Sequence, residues 1–177
     1  MARVRLYLMP DSGNQVFRFI RPGGIPGSIP AIRLRAFVRL ASLIDSTGED
    51  ALCAALPECI IDTGSPLSII PEYIWSHFRT GSVTPLPFHS AMPLNHRFVS
   101  VGNGNYPYEL AELPVQLWDQ NRRTMDVRVV AQFTQDNGVL RMPMTIGLRG
   151  GVIDGRIIRS EPDQAAAFGQ AWWLEDL

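Results

Sequence analysis

Apolar and polar residues alternate along most of this chain with the period of two expected of strands, and helical spacing is scarce. Residues 3–9 alternate charged and apolar side chains, and residues 15–20 do likewise. Between them lies Pro10-Asp11-Ser12-Gly13-Asn14, a dense group of turn formers, so the pattern predicts a β-hairpin over residues 3–20. Residues 21–30 (RPGGIPGSIP) predict a linker, because Gly and Pro interrupt both helix and strand. Alternation resumes over 31–44, with Ile32, Leu34, Ala36, Val38 and Leu40 on one face and Arg33, Arg35 and Arg39 on the other. After a polar loop at 45–50, residues 56–61 predict a short strand ending at Asp62. Residues 68–70 are apolar again, and Pro71 opens a short helical segment. Residues 98–101 and 106–118 flank Gly102-Asn103-Gly104-Asn105, a strong hairpin signal. Residues 125–133 predict a further strand, 142–146 an apolar run ending at Gly147, and 156–159 a last strand. Ser160-Glu161-Pro162-Asp163 has a capping residue, an acid three positions on and a Pro in the first turn, which predicts a terminal helix bearing Trp172, Trp173 and Leu174. The sum is a mainly β domain with one or two short helices and no internal repeat.

Composition narrows the chemistry. The chain has 177 residues, 46% hydrophobic and 19% charged, enough for one domain with a real core. Its formal charge of -1 suggests no nucleic-acid partner. All 16 basic residues are Arg, so a lysine-dependent phosphate loop, Schiff-base chemistry and a Ser-Lys hydrolase are excluded. Cys53 and Cys59 read as reduced thiols, with Cys59 a core position. No second Cys pair and no His-x-x-x-His occurs, so neither a metal site nor a cofactor is expected. No apolar run reaches the ~20 residues of a membrane helix, and the N-terminus does not read as a signal peptide, so no membrane partner and a cytoplasmic location are expected.

Nucleophile arrangements are poorly supported. His77, His89 and His96 lie in a Pro-rich segment without a Gly-x-Ser-x-Gly motif, and Gly102-x-Gly104 lacks the third Gly of a dinucleotide fingerprint. The segment that carries chemistry is Cys59-Ile60-Ile61-Asp62-Thr63-Gly64-Ser65-Pro66-Leu67-Ser68-Ile69-Ile70-Pro71. An apolar strand delivers the Asp62 carboxylate into a tight turn. Gly64 lets the backbone pass close beneath it, Thr63 can hydrogen-bond across a symmetric partner, and Ser65 can hydrogen-bond the carboxylate from outside. Asp-Thr-Gly is also an ordinary turn sequence, so the flanks have to discriminate.

The stretch IIDTGSPLSIIP resembles the active-site motif of the retropepsin-like aspartic proteases. Thr145-Ile146-Gly147, within MPMTIGL, resembles the family's second signature, and Val101-Gly102-Asn103-Gly104-Asn105 sits where the family has its flap hairpin. The resemblance covers roughly residues 31–160. It implies a closed β-barrel-like domain with a flap hairpin and short helices. It also implies Asp62 as catalytic residue supported by Thr63, Gly64 and Ser65, and an extended polypeptide substrate. One chain offers one such motif, since Asp11-Ser12-Gly13 lacks the apolar flanks and reads as a turn. A homodimer is therefore expected. The expected organisation is an N-terminal hairpin extension and linker over 1–30, the protease-like domain over 31–160, and a helical tail over 161–177. The alternative from another class is a catalytically silent dimerisation or peptide-binding module of the same fold.

Overall fold

The computed structural model describes residues 2–10, 16–40, 58–62, 65, 67–76, 83–88, 97–147 and 155–177. Among these the protein is mainly β. Its strands are β1 Arg3–Pro10, β2 Val16–Arg21, β3 Ile25–Pro30, β4 Ile32–Leu40, β5 Glu58–Asp62, β6 Ser68–Ile70, β7 Thr84–Leu86, β8 Phe98–Val101, β9 Gly104–Trp118, β10 Thr124–Thr134, β11 Met144–Gly147, β12 Arg156–Pro162 and β13 Gln170–Asp176. One helical turn, α1 (Glu72–Trp75), follows Pro71.

Six strands close on themselves in the order β4-β5-β11-β6-β10-β9, with β9 pairing back onto β4. Following the register around this ring from Arg35 leads through Ile60, Thr145, Ile69 and Gln132 to Leu110. The β9–β4 register pairs Leu40 with Val115, five residues from Arg35 on β4 and five from Leu110 on β9, so the ring returns to β4 displaced by ten residues. That stagger is what tilted strands need to close into a barrel. The interior is filled by the inward members of each alternating strand: Ala36, Val38, Cys59, Ile61, Leu113, Val115, Leu117, Val127, Val129, Ala131, Phe133, Met144 and Ile146 are all buried. Each large aliphatic side chain so buried contributes about 1.5–3 kcal/mol.

Strand β11 lies between β5 and β6, two strands that are neighbours in sequence. It runs parallel to β5 (Met144↔Cys59 to Gly147↔Asp62) and antiparallel to β6. The chain leaves β5 at Asp62, passes the turn and re-enters the barrel on the far side of β11. The buried run that reads as a strand from sequence is thus the central strand of the site described below.

Three expectations are corrected. Residues 3–20 do not form a hairpin. Residues Arg3 to Leu6 of β1 pair with β13, and Tyr7 to Pro10 pair with β4, which buries Val4 and Leu6 completely between long-range partners. Tertiary pairing here overrides the local turn signal, and Asp11 itself lies outside the described residues. Residues 21–30 are not a linker. Gly23 (φ 89°) and Gly24 (φ 78°) make a turn, and β2 pairs with β3 from Arg21↔Ile25 to Val16↔Pro30. Pro26 and Pro30 are tolerated because a two-stranded ribbon has outer edges that need no donor.

The third correction is the tail, which is not helical. Asp163 accepts hydrogen bonds from Ala165 and Ala166, on its side chain and its carbonyl respectively. Phe168 (φ 63°) and Gly169 (φ 68°) then adopt left-handed backbone and turn the chain back into β13. Strand wins over helix because β13 finds both β1 and β12 to pair with, burying Ala171, Trp173 and Leu174. Arg3 bridges Glu161 (2.7 Å) and Glu175 (2.8 Å) across these strands and stacks on the Trp173 ring at 3.8 Å. Trp173 is therefore packed.

No helix among the described residues is long and apolar enough to cross a membrane.

Candidate active site

Asp62 is the last residue of β5, and its neighbours explain its position. The strand alternates Cys59 and Ile61 into the core with Glu58, Ile60 and Asp62 partly exposed. Cys59 is fully buried, and burial pushes its thiol up to about 12, so it stays protonated and apolar in behaviour. Glu58 pairs with Arg35 at 2.7 Å, which holds the start of β5 against β4. Arg35 is itself buried, so the face of β4 that reads as polar is covered here rather than wet.

Gly147 is the residue paired with Asp62 across the parallel β5–β11 ladder. A Cβ at Gly147 would lie 2.5 Å from the backbone C and O of Leu67 and 2.8 Å from the Ser65 carbonyl oxygen. The segment following Asp62 therefore rests directly on the Gly147 backbone, and only glycine fits. The Gly147 amide donates to Ser68 Oγ (3.2 Å), which is fully buried. Thr145 and Ile146 are buried beneath the same segment. The Asp62 carbonyl accepts from the Ser65 amide (3.3 Å), which closes the turn. The Ser65 hydroxyl donates to the Leu67 carbonyl (2.7 Å). Thr63 and Gly64 lie outside the described residues.

The expected flap is a hairpin. Strands β8 and β9 pair from Phe98↔Pro107 to Val101↔Gly104, with Gly102 (φ 58°) and Asn103 at the tip. Glycine with positive φ at the first of two turn residues is the arrangement that matches strand twist. Ser100 Oγ donates to Asn105 Oδ1 (2.5 Å), and the Tyr106 side chain folds over Gly104. The described structure thus brings Asp62, Ser65 and Gly147 together at one end of the barrel, with Thr145 and Ile146 directly below them. Val101 to Asn105 form a separate hairpin.

Sequence reading missed a second carboxylate cluster. Asp136 is 4% exposed. It accepts from the Thr134 hydroxyl (2.5 Å) and from the amides of Glu72 (3.1 Å) and Leu140 (3.0 Å). Glu72 returns the bond, accepting from the amides of Asp136 and Asn137 at 2.7 and 2.6 Å. Burial alone would raise the Asp136 carboxyl, but the Thr134 hydroxyl and the surrounding amides outweigh it and hold it below the usual carboxylate range. The signal in the sequence is the turn triplet Asp136-Asn137-Gly138 together with an acid in the first turn of α1. Ser68 was also missed, because it sits inside an apolar triplet.

Among the described residues no group of three or more His, Cys, Asp or Glu side chains is placed to hold a metal ion. No family model, curated protein or solved structure matches the chain.

Proposed function

We propose that this protein is an aspartic endopeptidase of retropepsin-like fold, in which two chains each contribute Asp62 to one active site. The observation that carries the reading is the crossing of Gly147 behind the Asp62 turn. A part-exposed carboxylate ends a parallel strand pair, and the turn after it lies in backbone contact with a glycine that no other residue could replace. Such a support fixes a carboxylate on rigid strands, which catalysis by positioned groups requires.

The chemistry follows from pairing. Two carboxylates facing each other across a twofold axis share one proton, because like charges at short range do not both ionise. The ionised member takes a proton from a water held between them, and the water oxygen attacks the peptide carbonyl. The protonated member donates to the developing oxyanion, and protonation of the amine nitrogen completes cleavage. An extended peptide would lie between the β8–β9 hairpin and the end of the barrel, held by main-chain hydrogen bonds as an added strand.

The test is cleavage of an unstructured protein substrate by the wild type and by Asp62→Asn. The substitution keeps size and removes the base, so cleavage should fall to background with the thermal midpoint unchanged. A variant that cleaves as well as the wild type contradicts the assignment. A stable dimer that cleaves nothing between pH 3 and 7 would favour the silent binding module.

A further inference from the structure

The hairpin β2–β3 stands outside the barrel. Its strands pair with each other and with no other described strand. Isolated two-stranded hairpins are marginal in water, so this one gains by being covered. Its surface is apolar beyond what a turn needs: Val16, Phe17, Ile20, Ile25 and Ile29 are 47, 64, 75, 61 and 55% exposed. Phe17 faces Ile29 across the ladder, and the ring of Phe19 packs over Gly27 on the same face. The hairpin carries Arg18 and Arg21 and no acid.

Its position decides what covers it. The ladder Leu34↔Ile61 sets Arg33 level with Asp62 on the neighbouring strand, and Ile32 is one step further out. Ile32 also pairs with Pro10, the last residue of β1. The hairpin therefore rises from the end of the barrel that bears Asp62. That is the end two chains must bring together if their Asp62 side chains are to meet.

We infer that the 16–30 hairpin is an arm that docks on a second copy of this chain beside the shared site. The inference rests on the homodimer reading only for where the second copy sits. Phe17, Ile25 and Ile29 share one face of the ribbon and offer on the order of 300 Å² of apolar surface per copy, with Val16 and Ile20 on the other face. That is over a third of the ~800 Å² each partner buries in a standard stable interface. The same arm on the other copy supplies an equal area through the twofold axis, so the contact closes as a dimer and does not propagate.

Sedimentation of the full chain across a concentration series tests this, with mass and not activity as the readout. The variants are Phe17→Asp/Ile29→Asp and a chain in which residues 16–30 are replaced by Gly-Gly. The wild type and Asp62→Asn should dimerise equally. Both arm variants should weaken the dimer at least about 30-fold while keeping the wild-type thermal midpoint measured as monomer. The Gly-Gly chain covers the case in which the charged pair alone perturbs folding. A dimer constant unchanged in both variants overturns the inference, as does a wild type that stays monomeric at every concentration. An unchanged dimer with a raised KM for peptide would assign the arm to substrate and overturn it too. Loss of cleavage in Asp62→Asn with intact dimers tests the catalytic reading separately.

Discussion

Asp62 and Asp136 occupy similar local sequence: each stands at or just beyond the end of a strand and each has a glycine two residues on. The structure gives them opposite situations. Asp136 is sealed at the corner between β10 and α1, with a hydroxyl and two described amides pointed at its oxygens and Glu72 reciprocating from the helix. Asp62 is part-exposed at the end of a strand, with a glycine strand crossing behind its turn. The first arrangement spends the carboxylate on bracing a corner. The second fixes the backbone that carries the carboxylate against the glycine strand behind it. The chemistry open to an Asp-x-Gly turn is set by what lies behind and around it, not by the triplet.

The sharpest way to break this comparison is to fill the space behind Asp62. Gly147→Ala places a methyl 2.5 Å from the Leu67 backbone, which has no flexible side chain to move aside. Chemical denaturation should show a loss of about 4 kcal/mol or failure to fold, and no cleavage from whatever folded protein remains. Stability within about 1 kcal/mol of the wild type would mean that the Asp62 turn does not rest on β11.

Next comes the brace. Asp136→Ala strands the Thr134 hydroxyl and the Glu72 and Leu140 amides, and should cost about 3 kcal/mol. Its pH signature has a definite sign. The folded carboxyl titrates below its unfolded value, so its contribution is present above the unfolded pKa of about 3.9 and is lost as pH falls through the lower folded one. Asp136→Asn should flatten that acid limb in denaturation midpoints measured from pH 5 downward. An unaltered acid limb in Asp136→Asn would show that other carboxyls dominate it.

The smallest effect is at Cys59. Its folded thiol titrates at about 12 against an unfolded value near 8.5. The stability it contributes is complete below the unfolded value and is lost as pH rises toward the folded one. Native protein should leave Cys59 unmodified by a thiol reagent at pH 8, and Cys59→Ala should cost about 1–2 kcal/mol. Rapid labelling of Cys59 in native protein would contradict its place inside the barrel.

How much of this was legible in the sequence depended on whether the deciding partner was near in the chain. The strands around Asp62, the helical turn after Pro71 and the β8–β9 hairpin are read from alternation and turn residues, which are local. The alternation of Val127, Val129 and Ala131 likewise gave the buried face of β10. The hairpin over 3–20 and the helix over the tail failed because β1 and β13 pair with each other from opposite ends of the chain. No local signal competes with that burial of Val4, Leu6 and Leu174. The linker expected over 21–30 is overturned for a different reason: Pro and Gly break helices and sheet interiors, whereas a ribbon of two strands accepts both. At the site, Asp62 and Gly147 were legible as separate motifs, but their pairing is a register fact that only the sheet supplies.

The central claim is that one active site takes one Asp62 from each of two chains, and subunit mixing tests it most directly. Wild type and Asp62→Asn are unfolded together in equal amounts, refolded, and assayed for cleavage at fixed total chain. If both carboxylates are required, only wild-type pairs work, and activity falls to about a quarter of that of the same total of wild type. An activity of about one half, proportional to the wild-type fraction, would mean that each chain acts alone and would contradict the account.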